Sequence, residues 1–262
     1  MALEVLFTII FVGLVSIAGY YFSFLTASGA AAAFVTGCCA TAGYGMEGLL
    51  LLGIFFASSS IWSKYKHREK EFLKNIHTKG SARDWIQVAA NGGIAAAAAL
   101  AAFVWENPVW LLAYCISIAS ANADTWASEL GTLSKQPPIS IRTFKRAATG
   151  VSGAISGPGT LAAVFGALLI AVSADALFQL EMPETLIIFT AGVAGMLVDS
   201  VIGAFFQASY QCTECGHITE NPRHCGRPGR LISGHMLMDN DMVNLLSSLI
   251  AVILGISLYK FV

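Results

Sequence analysis

The chain has 262 residues, of which 56% are hydrophobic and 12% carry a charge. Because a soluble domain usually carries about 25% charged residues, this composition excludes an ordinary soluble protein and indicates a polytopic helical membrane protein. The net charge of −1 points to no particular class of partner. We expect the chain to contact the lipid bilayer, and we expect no nucleic acid as a partner.

Apolar segments follow one another along the whole chain. A bilayer-spanning helix needs about 20 mostly apolar residues. An Ala- and Gly-rich segment at 24–43 suits a tightly packed helix or a re-entrant piece. We therefore predict an all-α polytopic membrane protein with eight transmembrane helices, or seven without 24–43, in a single integral-membrane domain over 1–262. The seven clearer spans are 3–22, 46–62, 85–104, 109–130, 150–173, 185–208 and 241–261.

Basic residues are concentrated in three loops, 63–84, 131–149 and 209–239, which pairs of helices separate. The three loops therefore face one side of the membrane, and their positive charge predicts that this side is the cytoplasm. The opposite loops carry acidic residues and no Lys or Arg. With eight spans both termini lie outside, whereas with seven the N-terminus lies inside. We expect the plasma membrane as the location.

The fourth apolar segment ends in NADTWASELG, residues 122–131, which leaves two carboxylates at membrane depth. An ionised side chain there costs several kcal/mol unless it is paired, solvated or bound to a cation. At 100° per residue the polar side chains cover about half of the helix, which predicts one face on a wet cavity and the other in apolar packing. These polar side chains include Asn122, Asp124, Thr125, Ser128 and Glu129.

The sixth apolar segment contains a second buried acidic pair, in MLVDSVIGAFFQ. Asp199 and Ser200 lie at a depth similar to that of Asp124 and Thr125, in a helix of the same orientation. We interpret the two pairs as a weak internal repeat. Small residues beside Asp199 allow a ligand or another backbone to come close.

Two further motifs are expected at the cytoplasmic side. GVSGAISGPGT, residues 150–160, follows Lys145 and Arg146 and exposes backbone N–H groups at a helix start, which favours a phosphate site; close helix packing is the alternative. In GHMLMDNDMVN, Asp239, Asp241 and Asn244 lie at the first turn of the last helix, where acids also serve as caps.

These elements together favour a divalent cation, since Mg²⁺ binds carboxylates, phosphate oxygens and water. Asp124, Glu129 and Asp199 are the candidate ligands. Arg83 and Asn91, at the mouth of the third clear span, are further candidates for substrate binding. The rest of the basic loop at 63–84 is a topology signal or a contact for anionic lipids.

The segment CTECGHITENPRHCG, residues 212–226, offers a possible Zn²⁺ site. A Cys-x-x-Cys pair, Cys212 and Cys215, precedes His224 and Cys225, and tetrahedral zinc needs four such ligands. The adjacency of His224 and Cys225 departs from the usual spacing, so free thiols or a redox pair stay open. A structural disulfide is less expected on the cytoplasmic side.

The blocks ARDWIQVAANGG, NADTWASELG, GVSGAISGPGT, LVDSVIGAFFQ and DNDMVNLLSS resemble the integral-membrane family of phytyl-phosphate kinase and transmembrane protein 19. The likeness runs from about Thr26 to Leu249. It implies conversion of phytyl monophosphate to the diphosphate with CTP as donor, and metal–nucleotide roles for Asp124 and Glu129. The Cys/His segment departs from the family. A phosphate role is implied for Lys145, Ser152, Gly153, Ser156, Gly157 and Thr160.

We therefore expect a kinase that uses CTP or another nucleoside triphosphate with Mg²⁺ to phosphorylate an isoprenyl monophosphate at the cytoplasmic face. One alternative is a membrane transporter, because buried acids, interrupted helices and a weak repeat also describe a carrier. The other is a cytidylyltransferase that makes a CDP-linked lipid.

Overall fold

Helices make up most of the computed structural model, which describes residues 2–66, 69 and 82–261. Their number and apolar character confirm the predicted all-α class of polytopic membrane protein. Within the described residues the helices are α1 (Ala2–Tyr21), α2 (Ala27–Lys64), α3 (Trp85–Val104), α4 (Val109–Gly131), α5 (Gly157–Phe178), α6 (Met182–Phe206) and α7 (Asn240–Tyr259).

Five of these helices, α2, α3, α5, α6 and α7, are long and apolar enough to cross a membrane. Polar residues fix where several of them begin. The Asp84 side chain accepts a hydrogen bond from the Gln87 backbone N–H at the start of α3, and the Asp84 backbone N–H donates to Gln87 Oε1. The side chains of Ser156 and Asp239 cap α5 and α7 by accepting the backbone N–H groups of Gly159 and Met242. Capping satisfies N–H groups that have no partner within the helix.

A sharp reversal divides α2 into two arms. Gly45 has φ 62° and ψ −147°, a conformation that a residue with a Cβ rarely adopts. A straight helix of 38 residues would be about 57 Å long. Both ends of α2 nevertheless meet Arg83: the Thr26 N–H donates to its carbonyl, and its guanidinium donates to Ser59 Oγ. The two arms correspond to the segments 24–43 and 46–62, and the count of eight spans stays a prediction.

Helix α4 lies at the centre of the bundle and packs against α2, α3, α5, α6 and α7. Every residue from Leu112 to Ala123 is buried. Glycines permit this close approach, because a Cβ at Gly192 or Gly195 would run into Ala119 or Ser120 of α4. The expectation of one wet face along the helix was therefore wrong for residues 112–123, which protein surrounds on all sides.

Short strands connect the helices at one end of the bundle, which we call the basic end because the described parts of the three basic loops lie there. The predicted helix at 150–173 begins later, at Gly157, since the residues before it pair as a strand and Ser156 caps the helix. The strands are β1 (Ile139–Ser140), β2 (Ala154–Ile155), β3 (Ser209–Gln211), β4 (Ile218–Thr219), β5 (Arg223–His224), β6 (Arg227–Pro228) and β7 (Arg230–Ser233). All pairings are antiparallel: β1 with β2, β3 with both β4 and β7, and β5 with β6.

Candidate functional site

A cavity of about 140 Å³ lies at the basic end, between the last turns of α4 and α6 and the segment that precedes α5. We call it the acidic cavity. Within the described ranges no Lys or Arg side chain lines it. Its polar lining consists of Asp124, Ser128, Thr132, Thr149, Ser152, Ser156, Thr160, Asp199, Ser200, Gln207 and Asn240.

Asp124 of α4 and Asp199 of α6 contact each other through their carboxyl groups in this cavity. Helix α7 orients the second of them. Ser247 Oγ donates to Asp199 Oδ2 at 3.0 Å, and the Asn244 amide nitrogen lies 3.0 Å from the same oxygen when it is turned to donate. Two carboxylates in contact repel each other unless they share a proton or bind a cation.

The glycine-rich segment before α5 forms the opposite wall. Gly153 has φ 70°, and a Cβ at this position would overlap Ala204 of α6. The Ser156 side chain accepts the Gly159 N–H at 3.2 Å and donates to the Gly131 carbonyl at 3.3 Å, which ties the start of α5 to the end of α4. The N-terminus of α5, with its partial positive charge, therefore lies at the cavity that holds the two carboxylates.

Gln207, at the end of α6, carries an unpaired donor in the cavity wall. Its side chain is 4% exposed, and Nε2 has no hydrogen-bond partner in the described part of the chain. Its Oε1 lies beside Gly203, which also adjoins the Gly153 N–H. A buried donor without a partner costs free energy, so an acceptor atom of a ligand in the cavity would be stabilised there.

Glu220 is a third carboxylate, next to the cavity although not part of its lining, and the sequence reasoning missed it. It follows β4 and accepts a hydrogen bond from Ser152 Oγ. Its charge also acts on Asp199. The residue lies in a loop without helical periodicity, so no sequence pattern indicated which way its side chain faces.

Glu129 does not line the acidic cavity. It lies beside Arg83, on the side of α4 that faces α2 and α3, and acts electrostatically on that guanidinium. Arg83 also donates to Ser59 Oγ at 3.0 Å and to Ser60 Oγ at 3.4 Å. Burial lowers the pKa of Arg83, whereas the nearby Glu129 raises it. The structure therefore separates Glu129, which interacts electrostatically with Arg83, from Asp124 and Asp199, which line the acidic cavity.

Arg83 and Asn91 belong to a second cavity, of about 360 Å³, between α1, α2 and α3. Apolar side chains such as Val12, Leu50 and Phe55 make up most of its wall. Asn91 Nδ2 donates to the Gln87 carbonyl of its own helix at 3.0 Å. The structure does not bring these two residues to Asp124.

Several other predicted site residues lie outside the acidic cavity. Asn122 is fully buried: its Nδ2 donates to the Gly166 carbonyl at 2.8 Å, and its Oδ1 accepts from Ser58 Oγ at 3.1 Å. Thr125 donates to the Ala121 carbonyl. Five more predicted site residues are absent from the cavity lining. Lys145 and Arg146 are exposed near β1, and Gly157 is the first residue of α5. Asp239 caps α7, and Asp241 is buried.

Cys212, Cys215, His224 and Cys225 form a cluster in the segment between α6 and α7, with one ligand atom of each within 4.8 Å of the others. A hydrogen bond from the Cys215 backbone N–H lowers the pKa of the Cys212 thiol to about 6. A hydrogen bond to Cys215 raises the pKa of Cys225 to about 11, as expected for thiols that share one proton. His217 lies outside the cluster and stacks on His224.

A family model described as integral membrane protein DUF92 matches residues 10–252. The chain belongs to this family. Protein PGR of Arabidopsis thaliana is 30% identical over 94% of this chain and 93% of its own length. The uncharacterized membrane protein MJ0933 of Methanocaldococcus jannaschii is 33% identical over 82% of this chain and 77% of its own. Protein VTE6, chloroplastic, of Arabidopsis thaliana is 27% identical over 91% of this chain and 66% of its own length. No solved structure matches the chain.

These matches confirm the family resemblance that the sequence motifs indicated. The part of the chain that the DUF92 model matches contains the acidic cavity, the second cavity and the Cys/His cluster. The DUF92 protein is therefore an integral membrane protein whose cavities and clustered ligands lie within its family region.

Proposed function

We propose that this DUF92 protein is a phosphotransferase that uses CTP, or another nucleoside triphosphate, to convert an isoprenyl monophosphate to the diphosphate at the cytoplasmic membrane face. The observation that carries the proposal is the contact between Asp124 and Asp199 in a cavity whose described lining has no basic side chain. The sequence motifs support phytyl phosphate as the acceptor, through their resemblance to phytyl-phosphate kinase.

The donor set of the acidic cavity suits Mg²⁺. Hard carboxylate oxygens are its preferred protein ligands, and it usually keeps several waters and binds substrate phosphates. Asp124 and Asp199 would hold the ion, with Glu220 at the rim. When bound, Mg²⁺ supplies charge neutralisation at the transferring phosphoryl group. The volume of 140 Å³ equals about five water volumes, so a hydrated cation and a phosphate group fit while the nucleoside lies outside.

The chain's own residues would bind and orient the phosphates. The N-terminus of α5 presents N–H groups and a partial positive charge to an anion. The hydroxyls of Ser152, Ser156 and Thr160 and the unpaired Gln207 amide are donors at the same wall. Lys145 and Arg146, exposed on the β1 side, would attract the nucleotide from the surface. An acceptor phosphate is already anionic, so positioning and charge neutralisation suffice without a strong general base.

The distribution of polar groups supports an enzyme over a transporter. A carrier needs a polar route through the whole depth of the membrane. At the end opposite the acidic cavity, Tyr44 packs against Tyr114 and Phe178, with ring centroids 4.9 Å and 5.8 Å away. Asn122, which is buried between the two ends, is hydrogen-bonded to neighbouring helices. Among the described residues, the two cavity-lining carboxylates, Asp124 and Asp199, therefore lie together at one end.

The test is an assay with purified protein, CTP labelled at either the γ- or the α-phosphate, and phytyl, geranylgeranyl or farnesyl monophosphate. We expect γ-label to move to the lipid, and the Asp124→Asn variant to lower the rate of transfer by about 10²–10³-fold. The Asp175→Asn variant, which removes an exposed carboxylate near the other end of α5, is the matched control. Transfer of the α-label identifies a cytidylyltransferase instead. No transfer of either label with any nucleoside triphosphate contradicts the proposal.

A further inference from the structure

The Cys/His cluster has the dimensions of a tetrahedral metal site. In such a site with zinc–sulfur distances of about 2.3 Å, two sulfurs lie about 3.8 Å apart, and a sulfur and a nitrogen about 3.6 Å apart. The Cys215 and Cys225 sulfurs are 3.8 Å apart, and they lie 3.4 Å and 3.3 Å from His224 Nδ1. A disulfide requires about 2.05 Å, so the separations fit a shared ion rather than a bond between thiols.

Two tight turns bring the four ligands together. After β3, the Gly216 N–H donates to the Cys212 carbonyl, and Gly216 has φ 72°. Between β5 and β6, Cys225 and Gly226 both have positive φ, 53° and 74°. Positive φ at both central residues defines a type I′ hairpin turn. This turn directs the adjacent His224 and Cys225 to one point, which explains how neighbouring residues can both serve as ligands.

The segment between α6 and α7 also lacks a hydrophobic core of its own. Its strands contain two to four residues each, and apolar side chains such as Ile218 and Ile232 are exposed. From 209 to 233 the buried residues are Cys212 and Thr219. Small units without a sufficient core usually depend on a metal or a disulfide for their stability.

The same segment reaches the acidic cavity through Glu220. This residue lies between the two ligand pairs, directly after β4, and accepts the hydrogen bond from Ser152 Oγ. Arg227 and Glu214 form an exposed ion pair of 2.8 Å that links the two turns, but an exposed pair contributes at most about 1 kcal/mol. Glu220 directly follows β4, which pairs with β3 over two residues, and the position of Glu220 therefore depends on this short sheet and on whatever holds the four ligands.

We propose that Cys212, Cys215, His224 and Cys225 bind one Zn²⁺ ion, and that this ion holds Glu220 against Ser152 at the rim of the acidic cavity. The ion is structural, because four protein ligands complete its coordination. The inference is independent of the phosphotransferase proposal, since metal content and backbone protection can be measured without any assay of activity.

The first test is elemental analysis of the full-length protein, purified without a histidine tag or chelator. We expect one zinc per chain. The Cys215→Ser variant should lose zinc affinity by more than the roughly 10–100-fold that an outer-shell change costs. His217→Gln, at a neighbouring histidine, and Cys39→Ser, at a thiol in α2, should keep one zinc. Iron in place of zinc, or no metal in the wild-type protein, overturns the assignment.

Because Cys215→Ser could unfold the segment, cobalt substitution tests the wild-type chain directly. Co²⁺ added after removal of zinc should give the visible absorption of a tetrahedral ion with thiolate ligands. A spectrum typical of an octahedral ion with oxygen ligands contradicts the proposed ligand set.

Hydrogen–deuterium exchange tests the connection to the cavity. Removal of zinc by a chelator should speed exchange in 212–226 and also in 149–155, because Ser152 loses its partner. Glu220→Ala, which removes the acceptor of the Ser152 hydrogen bond, should speed exchange in 149–155 while zinc remains bound. Faster exchange confined to 212–226 after zinc removal overturns the proposed role of the ion at the cavity.

Discussion

The carboxyl groups of Asp124 and Asp199 meet in one cavity although they belong to different helices, α4 and α6. Each lies about two turns before the basic end of its helix, so the two helices reach the cavity at the same depth. Ser247 and Asn244 hold the Asp199 carboxylate from α7. Three helices thus fix the relative positions of the two acids.

Loss of either acid should remove the function of the cavity. We expect Asp124→Asn and Asp199→Asn to lower the turnover number by about 10²–10³-fold, the range seen when one electrostatic contact to a transition state is lost. Glu129→Gln should have a smaller effect, because Glu129 lies beside Arg83 on the other side of α4. The measurement is steady-state kinetics at varied Mg²⁺. Equal losses of turnover number in all three variants would show that Glu129 acts together with Asp124 and Asp199.

Gly153 and Gly157 provide a matched pair for the glycine-rich segment. Gly153→Ala should lower activity and displace the segment, because the residue has φ 70° and a Cβ there overlaps Ala204. Gly157→Ala should be tolerated, since a Cβ at Gly157 meets nothing within 4 Å. Phosphate binding and thermal unfolding of both variants are the measurements. A damaging Gly157→Ala variant would show that the first helical residue, rather than the turn before it, is the sensitive position.

Asn122 should contribute to stability rather than to substrate binding. Asn122→Ala removes two hydrogen bonds between helices, to Gly166 and Ser58, and should lower the free energy of unfolding by about 1–2 kcal/mol. Asn91→Ala is the control for stability, because the Asn91 side chain donates to the Gln87 carbonyl of its own helix. Unfolding in detergent measures both. A raised KM with unchanged stability in Asn122→Ala would instead show that Asn122 contributes to substrate binding.

Arg83 and Glu129 should be energetically coupled. A double-mutant cycle with Arg83→Gln and Glu129→Gln should give an interaction free energy of about 0.5–3 kcal/mol, as for other residues in one charge network. Additive effects within about 0.5 kcal/mol would instead mean that Ser59 and Ser60 alone hold the guanidinium. The readout is again the free energy of unfolding in detergent.

The sequence predicted the helices well because the bilayer imposes their length and composition. It also predicted that Asp124, Asp199 and the segment at 150–160 would converge, since all three lie at one depth on the basic side. The partners of Glu129 and Asn91 could not be predicted, because helical phase gives the direction of a side chain but not the neighbour it meets. Glu220 was missed because its position depends on turns at Gly216 and Gly226, which are set by positive φ values rather than by periodicity.

The enclosed position of α4 has a consequence for how the protein is made. The bilayer does not contact residues 112–123, so this helix can carry Ser117, Ser120 and Asn122 without exposing them to lipid. Alone, such a segment partitions poorly from the translocon into the membrane, because polar residues near the helix centre oppose insertion. Helices α5, α6 and α7, which cover it, are synthesised later. We therefore expect α4 to wait beside the translocon until these neighbours emerge from the ribosome, and truncation after Gly131 to leave it uninserted.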